Sequence, residues 1–304
     1  GEQNFERRRE VHLVKWLHSD APMSGKLYLC ATPIGNLEDM TFRVIQTLKE
    51  VDLIAAEDTR HTIKLLNHFD IKTPMTRYHE FNKIEKGHEL VRQLLEGKNI
   101  ALVSDAGTPG ISDPGEELVK FCYDAGIEVT SLPGPAACIT ALTMSGLPTR
   151  RFCFEGFLPT DKKEQEIVLN RLKTETRTTI FYEAPHRLAK TLTLFENYIP
   201  RRRLTVCKEL TKRYESAAQM SVAEASSYFR EHEAKGEYVL VIEGISQKVL
   251  DDAQKESWEK IPIEAHMRQY EQQGIPRKEA MKAVAADRGM SKREVYQYLL
   301  EHKE

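Results

Sequence analysis

The feature that most constrains this chain is a repeated change of hydrophobic period. From Lys26 onward, short apolar runs alternate with stretches of helical spacing. Leu27-Tyr28-Leu29-Cys30-Ala31, Leu53-Ile54-Ala55-Ala56 and Ile100-Ala101-Leu102-Val103 read as buried strands, with Ile127-Glu128-Val129-Thr130 a shorter one. Segments 42–50, 62–69, 85–96 and 114–125 space their apolar residues three and four apart and read as amphipathic helices. Strands separated by helices need a crossover to return to the sheet, so the expected class is α/β with a mostly parallel sheet. Asp124-Ala125-Gly126 and Glu96-Gly97-Lys98-Asn99 are suitable helix stops before the next strand.

A second α/β unit is expected after the break at Leu147-Pro148-Thr149. Its candidate strands are Phe152-Cys153-Phe154, 178–182, Leu204-Thr205-Val206-Cys207 and 238–242, with helices over 162–173, 186–198 and 222–231. The tail reads as three short helices with turns at Gly274 and Gly289, and Ser291-Lys292-Arg293-Glu294 is a capping-box pattern opening the last. The expected division is 1–22, an N-terminal extension or cloning remnant set aside from the fold; 23–148, an N-terminal α/β domain carrying the ligand loops; 149–245, a C-terminal α/β domain; 246–260, a linker; and 261–304, a helix-turn-helix-like tail. Residues 1–22 are set aside because Met23-Ser24-Gly25-Lys26 resembles a natural start.

Composition narrows the function. Lys and Arg total 44 against 46 Asp and Glu, so any polyanion must be held by a local basic patch. The five cysteines, Cys30, Cys122, Cys138, Cys153 and Cys207, show no metal-ligand spacing and read as buried reduced thiols of a cytosolic protein. No apolar run is long enough to cross a bilayer.

Three strand ends are rich in turn residues. They are Thr32-Pro33-Ile34-Gly35-Asn36-Leu37, then 104–115, then Leu132-Pro133-Gly134-Pro135-Ala136-Ala137. In an open α/β sheet, ligands gather beyond the carboxyl ends of the strands, so three such loops on one edge suggest a moulded pocket. Gly110 and Gly115 have the spacing of a phosphate loop, but Glu116 and Glu117 stand where Lys and Ser or Thr are required, which excludes a triphosphate. No GxGxxG and no metal constellation occur. A small sulfonium cofactor fits better. It wants carboxylates and carbonyls near its positive charges and small residues around its adenine, and Asp105 with Ala136 and Ala137 supplies such chemistry.

Glu57-Asp58-Thr59-Arg60-His61 places carboxylates, a hydroxyl, a guanidinium and an imidazole at a strand-to-helix junction. Asp58 or Thr59 would serve as a helix cap, whereas Arg60 and His61 suit phosphate or ribose. Glu57 or Asp58 is the candidate base, with Arg60 beside it. His79 and Asn82 in Tyr78-His79-Glu80-Phe81-Asn82, Arg187 after the strand at 178–182, Arg201 and Arg202, and Lys292 and Arg293 in the tail are further candidates for contact with a polyanion.

Taken in order along the chain, the motifs closely resemble one family. They are Ala31 to Leu37, Ala55-Ala56-Glu57-Asp58-Thr59-Arg60-His61-Thr62, Leu102-Val103-Ser104-Asp105-Ala106-Gly107-Thr108-Pro109, Leu132-Pro133-Gly134-Pro135, Phe154-Glu155-Gly156-Phe157-Leu158-Pro159, Phe181-Tyr182-Glu183-Ala184-Pro185-His186-Arg187, Lys208-Glu209-Leu210-Thr211-Lys212 and Gly236-Glu237. The family is ribosomal RNA small subunit methyltransferase I, a branch of the tetrapyrrole methylases. The resemblance implies a two-domain fold with S-adenosylmethionine in the cleft between domains, and a small all-helical C-terminal unit. It implies that Pro33, Ile34, Asp105, Ala106, Gly107, Thr108, Gly134, Ala136 and Ala137 line the cofactor site, completed by Tyr182, Leu210 and Tyr238. It also implies methyl transfer to the ribose 2′-hydroxyl of a cytidine in the decoding region of 16S ribosomal RNA, by a cytoplasmic homodimer without metal, membrane or DNA. Two other functions stay open on the residues: a methyltransferase for a tetrapyrrole or cobalamin precursor, and an RNA-binding protein without turnover.

Overall fold

The inner segments Leu53–Ala56 and Ile100–Val103 are apolar along their whole length, as strands covered on both faces are. A computed structural model describes residues 2–18 and 24–303. The first domain comprises α1 (Glu2–His18), β1 (Lys26–Cys30), α2 (Phe42–Glu50), β2 (Leu53–Ala56), α3 (Thr59–His68), β3 (Met75–Arg77), α4 (Lys83–Leu95), β4 (Ile100–Val103), α5 (Gly115–Ala125), β5 (Glu128–Leu132) and α6 (Ala137–Met144). Its strands lie in the order β3-β2-β4-β1-β5, all parallel. Alternation along each strand sends Leu27, Leu29, Ile100 and Leu102 to one apolar layer with Leu90 and Leu118. Cys30, Ala101 and Val103 go to the opposite layer with Val44 and Leu66. Residues 2–18, set aside on sequence, form a helix that packs against α5. Met23 lies outside the described residues.

The second domain departs from the first. It holds β6 (Phe152–Phe157), α7 (Lys162–Thr174), β7 (Thr178–Glu183), α8 (Pro185–Tyr198), β8 (Arg203–Lys208), β9 (Ser216–Ser221), α9 (Val222–Glu231) and β10 (Tyr238–Ile242). The sheet order is β6-β7-β10-β8-β9, in which only the β6–β7 pair is parallel. The strand β9 has no counterpart in the sequence expectation. Ser-Ala-Ala-Gln-Met-Ser lies on an edge with both faces largely in solvent, so it carries no apolar signal.

The two domains share a core. Cys138, Ala141 and Leu142 of α6 pack on Ile180, Val239 and Val241 of the second sheet. The tail then follows as α10 (Gln247–Glu259), α11 (Ile263–Gln272), α12 (Arg277–Arg288) and α13 (Lys292–Glu301). The segment 246–260, expected to be a linker, is therefore helical: Ser246 caps it by accepting from the Val249 N–H at 3.1 Å, and it packs against α12. Its polarity hid it, since no residue of α10 is buried. All five cysteines are free thiols, and all but half-buried Cys153 are buried. No helix among the described residues is long and apolar enough to cross a membrane.

Candidate active site

A cleft of about 880 Å³ opens where the carboxyl ends of the first sheet face the second domain. Ile34, residues 105–108 and residues 136–137 form its wall on one side, and Tyr182, Leu210 and Tyr238 on the other. The cofactor set expected from the sequence is thus brought together, except that Pro33 and Gly134 stand outside the lining. Gly134 still shapes it, because a β-carbon there would come within 2.6 Å of the Ala31 β-carbon.

The first-domain loops brace one another. Thr32 and Gly107 exchange main-chain hydrogen bonds of 3.1 and 3.0 Å. Gly107 sits at φ 79°, a left-handed conformation that favours glycine. Thr108 Oγ1 donates to the Pro135 carbonyl at 2.8 Å, joining the second loop to the third. From the other domain, the Tyr182 hydroxyl accepts the Cys138 N–H at 3.0 Å, fixing the start of α6 against β7. Burial raises the pKa of that phenol, so it stays neutral.

The cleft is acidic. Glu57, Asp105, Asp113, Glu155, Glu183 and Glu237 all stand in its walls. Burial raises the pKa of Glu57 above the ordinary carboxylate value, and Asp105, Asp113, Glu80 and Asp58 raise it further. Asp58 behaves oppositely. Slight desolvation is outweighed by the Arg60 N–H and guanidinium, and its pKa falls. It is the cap of α3, accepting the Arg60 N–H at 3.0 Å. Asp113 explains why the glycine-spaced loop is no phosphate site. Its carboxylate accepts the N–H groups of Gly110 and Gly115, at 2.8 Å each, and of Ile111 at 3.3 Å, filling the place an anion would take.

None of the nine residues suggested for RNA contact lines the cleft. Arg60 and His61 are exposed at the start of α3, Arg201 is exposed before β8, and Lys292 and Arg293 are exposed on α13. Arg187 is half-buried on α8. His79 and Asn82 mainly brace their own turn: the His79 N–H donates to Asn82 Oδ1 at 2.8 Å, and His79 Nδ1 accepts the Phe81 N–H at 3.2 Å. Arg202 requires correction. Its guanidinium donates to the carbonyls of Glu243, Leu172 and Lys173 at 3.1, 3.0 and 3.5 Å, so it ties elements together and is not available to phosphate. The sequence pattern passed over Asp113, Phe157 and Glu237 as cleft residues. Each lay within a segment the sequence singles out: Asp113 in the loop 104–115, Phe157 in the motif from Phe154 to Pro159, and Glu237 in Gly236-Glu237.

The donor set suits a sulfonium nucleoside. Carboxylates stand in the cleft wall, and the small residues 136–137 leave room for a flat ring.

Paired sheets with loops of this kind define a protein of the tetrapyrrole methylase class. The profile described as Tetrapyrrole (Corrin/Porphyrin) Methylases matches residues 26–226, from β1 through the first half of α9. A solved structure, uroporphyrin-III C-methyltransferase from Thermus thermophilus complexed with S-adenyl homocysteine, is similar with a TM-score of 0.51 at 17% identity, covering 72% of this chain and 97% of that one. Much closer in sequence is the ribosomal RNA small subunit methyltransferase I of Halalkalibacterium halodurans, 51% identical over 272 residues, which are 90% of this chain and 93% of that protein. The protein of the same name from Bacillus subtilis is 48% identical with the same coverage. The chain belongs to the ribosomal RNA small subunit methyltransferase I family.

Proposed function

We propose that this chain is an S-adenosylmethionine-dependent methyltransferase of small-subunit ribosomal RNA, and that the acceptor is the ribose 2′-hydroxyl of a cytidine in the decoding region of 16S RNA. The observation that carries this reading is the 51% identity to a ribosomal RNA small subunit methyltransferase I over 90% of the chain. The open, acid-lined cleft at the strand ends is consistent with it.

When bound, S-adenosylmethionine supplies an electrophilic methyl carbon on sulfur. Transfer of that methyl to the acceptor hydroxyl would require the hydroxyl to give up its proton, which leaves a group of this chain to receive it. Residues 105–108 and 136–137, with Tyr182, Leu210 and Tyr238, would hold the cofactor. Glu57 is the better candidate to receive the proton. Its raised pKa makes it the stronger acceptor, and Asp58 is committed to capping α3. Arg60, with Nε 3.5 Å from Asp58 and its side chain 90% exposed, suits an RNA phosphate beside the cleft. His61, Arg187, Arg201, Lys292 and Arg293 extend that contact along the RNA, and His79 contributes through its remaining ring nitrogen. A cytoplasmic homodimer is part of the same reading.

The test is transfer of labelled methyl from S-adenosylmethionine to 30S subunits prepared from cells lacking the protein. Nuclease mapping then locates the label, with Asp105→Ala as control. Label on a ribose 2′-oxygen of 16S RNA supports the reading; cofactor binding without RNA label sinks it.

A further inference from the structure

The strand β6 carries a fault in its register. Phe154 pairs with Ile180, yet Gly156 pairs with Phe181 and Phe157 with Tyr182, which leaves Glu155 as an extra residue. Side chains along a strand alternate between faces, and one inserted residue reverses the alternation beyond it. Phe154 and Phe157 therefore share a face, although their spacing of three would separate them on a regular strand. The next residue, Leu158, is buried in the opposite core with Phe181. Gly156, at φ 71°, supplies the left-handed turn the bulge needs.

Both rings meet Tyr182 edge to face, Phe154 at 4.9 Å and 64° and Phe157 at 6.0 Å and 73° between ring planes. Phe154 is half-buried, whereas Phe157 remains 58% exposed in the cleft wall. Strand geometry thus holds a large apolar ring in open space instead of in a core. Around it the cleft carries carboxylates, Asp113, Glu155 and Glu237 among them. Such a wall repels phosphate but accepts hydrogen bonds from an exocyclic amine.

We propose that Phe157 is the platform on which the acceptor nucleobase stacks, with a wall carboxylate accepting from the base's amino group. This rests on the RNA reading above. The class of ligand is an unpaired, amino-bearing base swung out of its strand, while the phosphates stay outside on the cationic residues.

The experiment compares wild type with Phe157→Ala and Phe157→Trp. KM and kcat for methyl transfer to 30S subunits are measured, together with S-adenosylmethionine affinity by calorimetry. Phe157→Ala is expected to raise KM for subunits roughly tenfold, from lost stacking, while Phe157→Trp stays near wild type. Cofactor affinity is expected to be unchanged in both, which also shows that the cleft is folded. An unchanged KM in Phe157→Ala overturns the platform, as does an equal defect in Phe157→Trp. Loss of cofactor affinity in a folded Phe157→Ala protein would make the ring a cofactor wall and likewise overturn it. Wild type that binds cofactor but methylates no subunits fails the RNA reading itself, and the platform falls with it.

Discussion

The main-chain N–H of Asp58 donates to Oδ1 of Asp105 at 3.2 Å, so the loop after β4 holds the junction between β2 and α3. One carboxylate thereby links the proposed cofactor loop to the segment carrying Glu57 and Arg60. Asp105→Ala removes that link while deleting only an exposed side chain. Stability should change by no more than about 0.5 kcal/mol. Cofactor affinity should fall at least tenfold by calorimetry, and methyl transfer should fall further still.

Glu57→Gln keeps the shape of the side chain and removes the proton acceptor. General base catalysis typically contributes about 10²–10⁴-fold, so kcat should drop by roughly a hundredfold or more with KM for subunits little changed. The pH profile gives a second check. A base works deprotonated, and burial with four neighbouring carboxylates raises the pKa of Glu57. The acidic limb of kcat should therefore lie above the range of an ordinary glutamate, and Glu57→Gln should flatten it.

Arg201 and Arg202 adjoin in sequence but should separate cleanly in behaviour. Arg202→Ala removes three charged hydrogen bonds to main-chain carbonyls, and such bonds contribute about 1.5–3 kcal/mol each, so thermal melting should show a clear loss. Arg201→Ala should melt like wild type and reduce the salt dependence of subunit binding.

Gly134→Ala places a β-carbon 2.6 Å from that of Ala31, and neither atom can rotate away. The third loop must shift, and cofactor affinity should fall about tenfold or more in a protein that still folds. Unchanged affinity would mean that this loop does not shape the cofactor site.

The tail should weaken in mild acid. His266 is buried, stacked on Trp258 at 3.8 Å, with Nε2 2.9 Å from Asp287 and Nδ1 accepting from Arg288 at 3.1 Å. Desolvation lowers its pKa below the ordinary 6.5, against the pull of Asp287. The unfolded chain then takes up a proton that the folded one refuses. Stability is complete above pH 6.5 and declines below it toward the folded pKa. Melts between about pH 5 and 7.5 should show this slope, and His266→Gln should abolish it.

How much of this was legible depended on what each residue had to bury. Ile100, Ala101, Leu102 and Val103 announce a strand because both faces are covered, and Val44 and Leu48 announce α2 by their spacing. Neither β9 nor α10 buries an apolar face, so the edge of the second sheet and the first helix of the tail escaped the pattern. The cleft loops stood out through their turn residues, which also carried the family likeness. Arg202 misled because a cation bound to carbonyls and a cation awaiting phosphate look alike in one dimension. Phe157 owes its direction to a single inserted residue, which the period of its neighbours does not record.

The packing of α6 has a bearing on how the chain is made. By sequence the helix closes the first domain, yet Ala141 and Leu142 have their partners on β10, where Val241 lies roughly a hundred residues later. During synthesis at about 5–20 residues per second, that apolar surface stays uncovered for on the order of 5–20 s. A fragment ending at residue 148 would carry it permanently. The gene can be cut at that point, but the protein cannot: its first half should be recovered soluble only when the second is made alongside it.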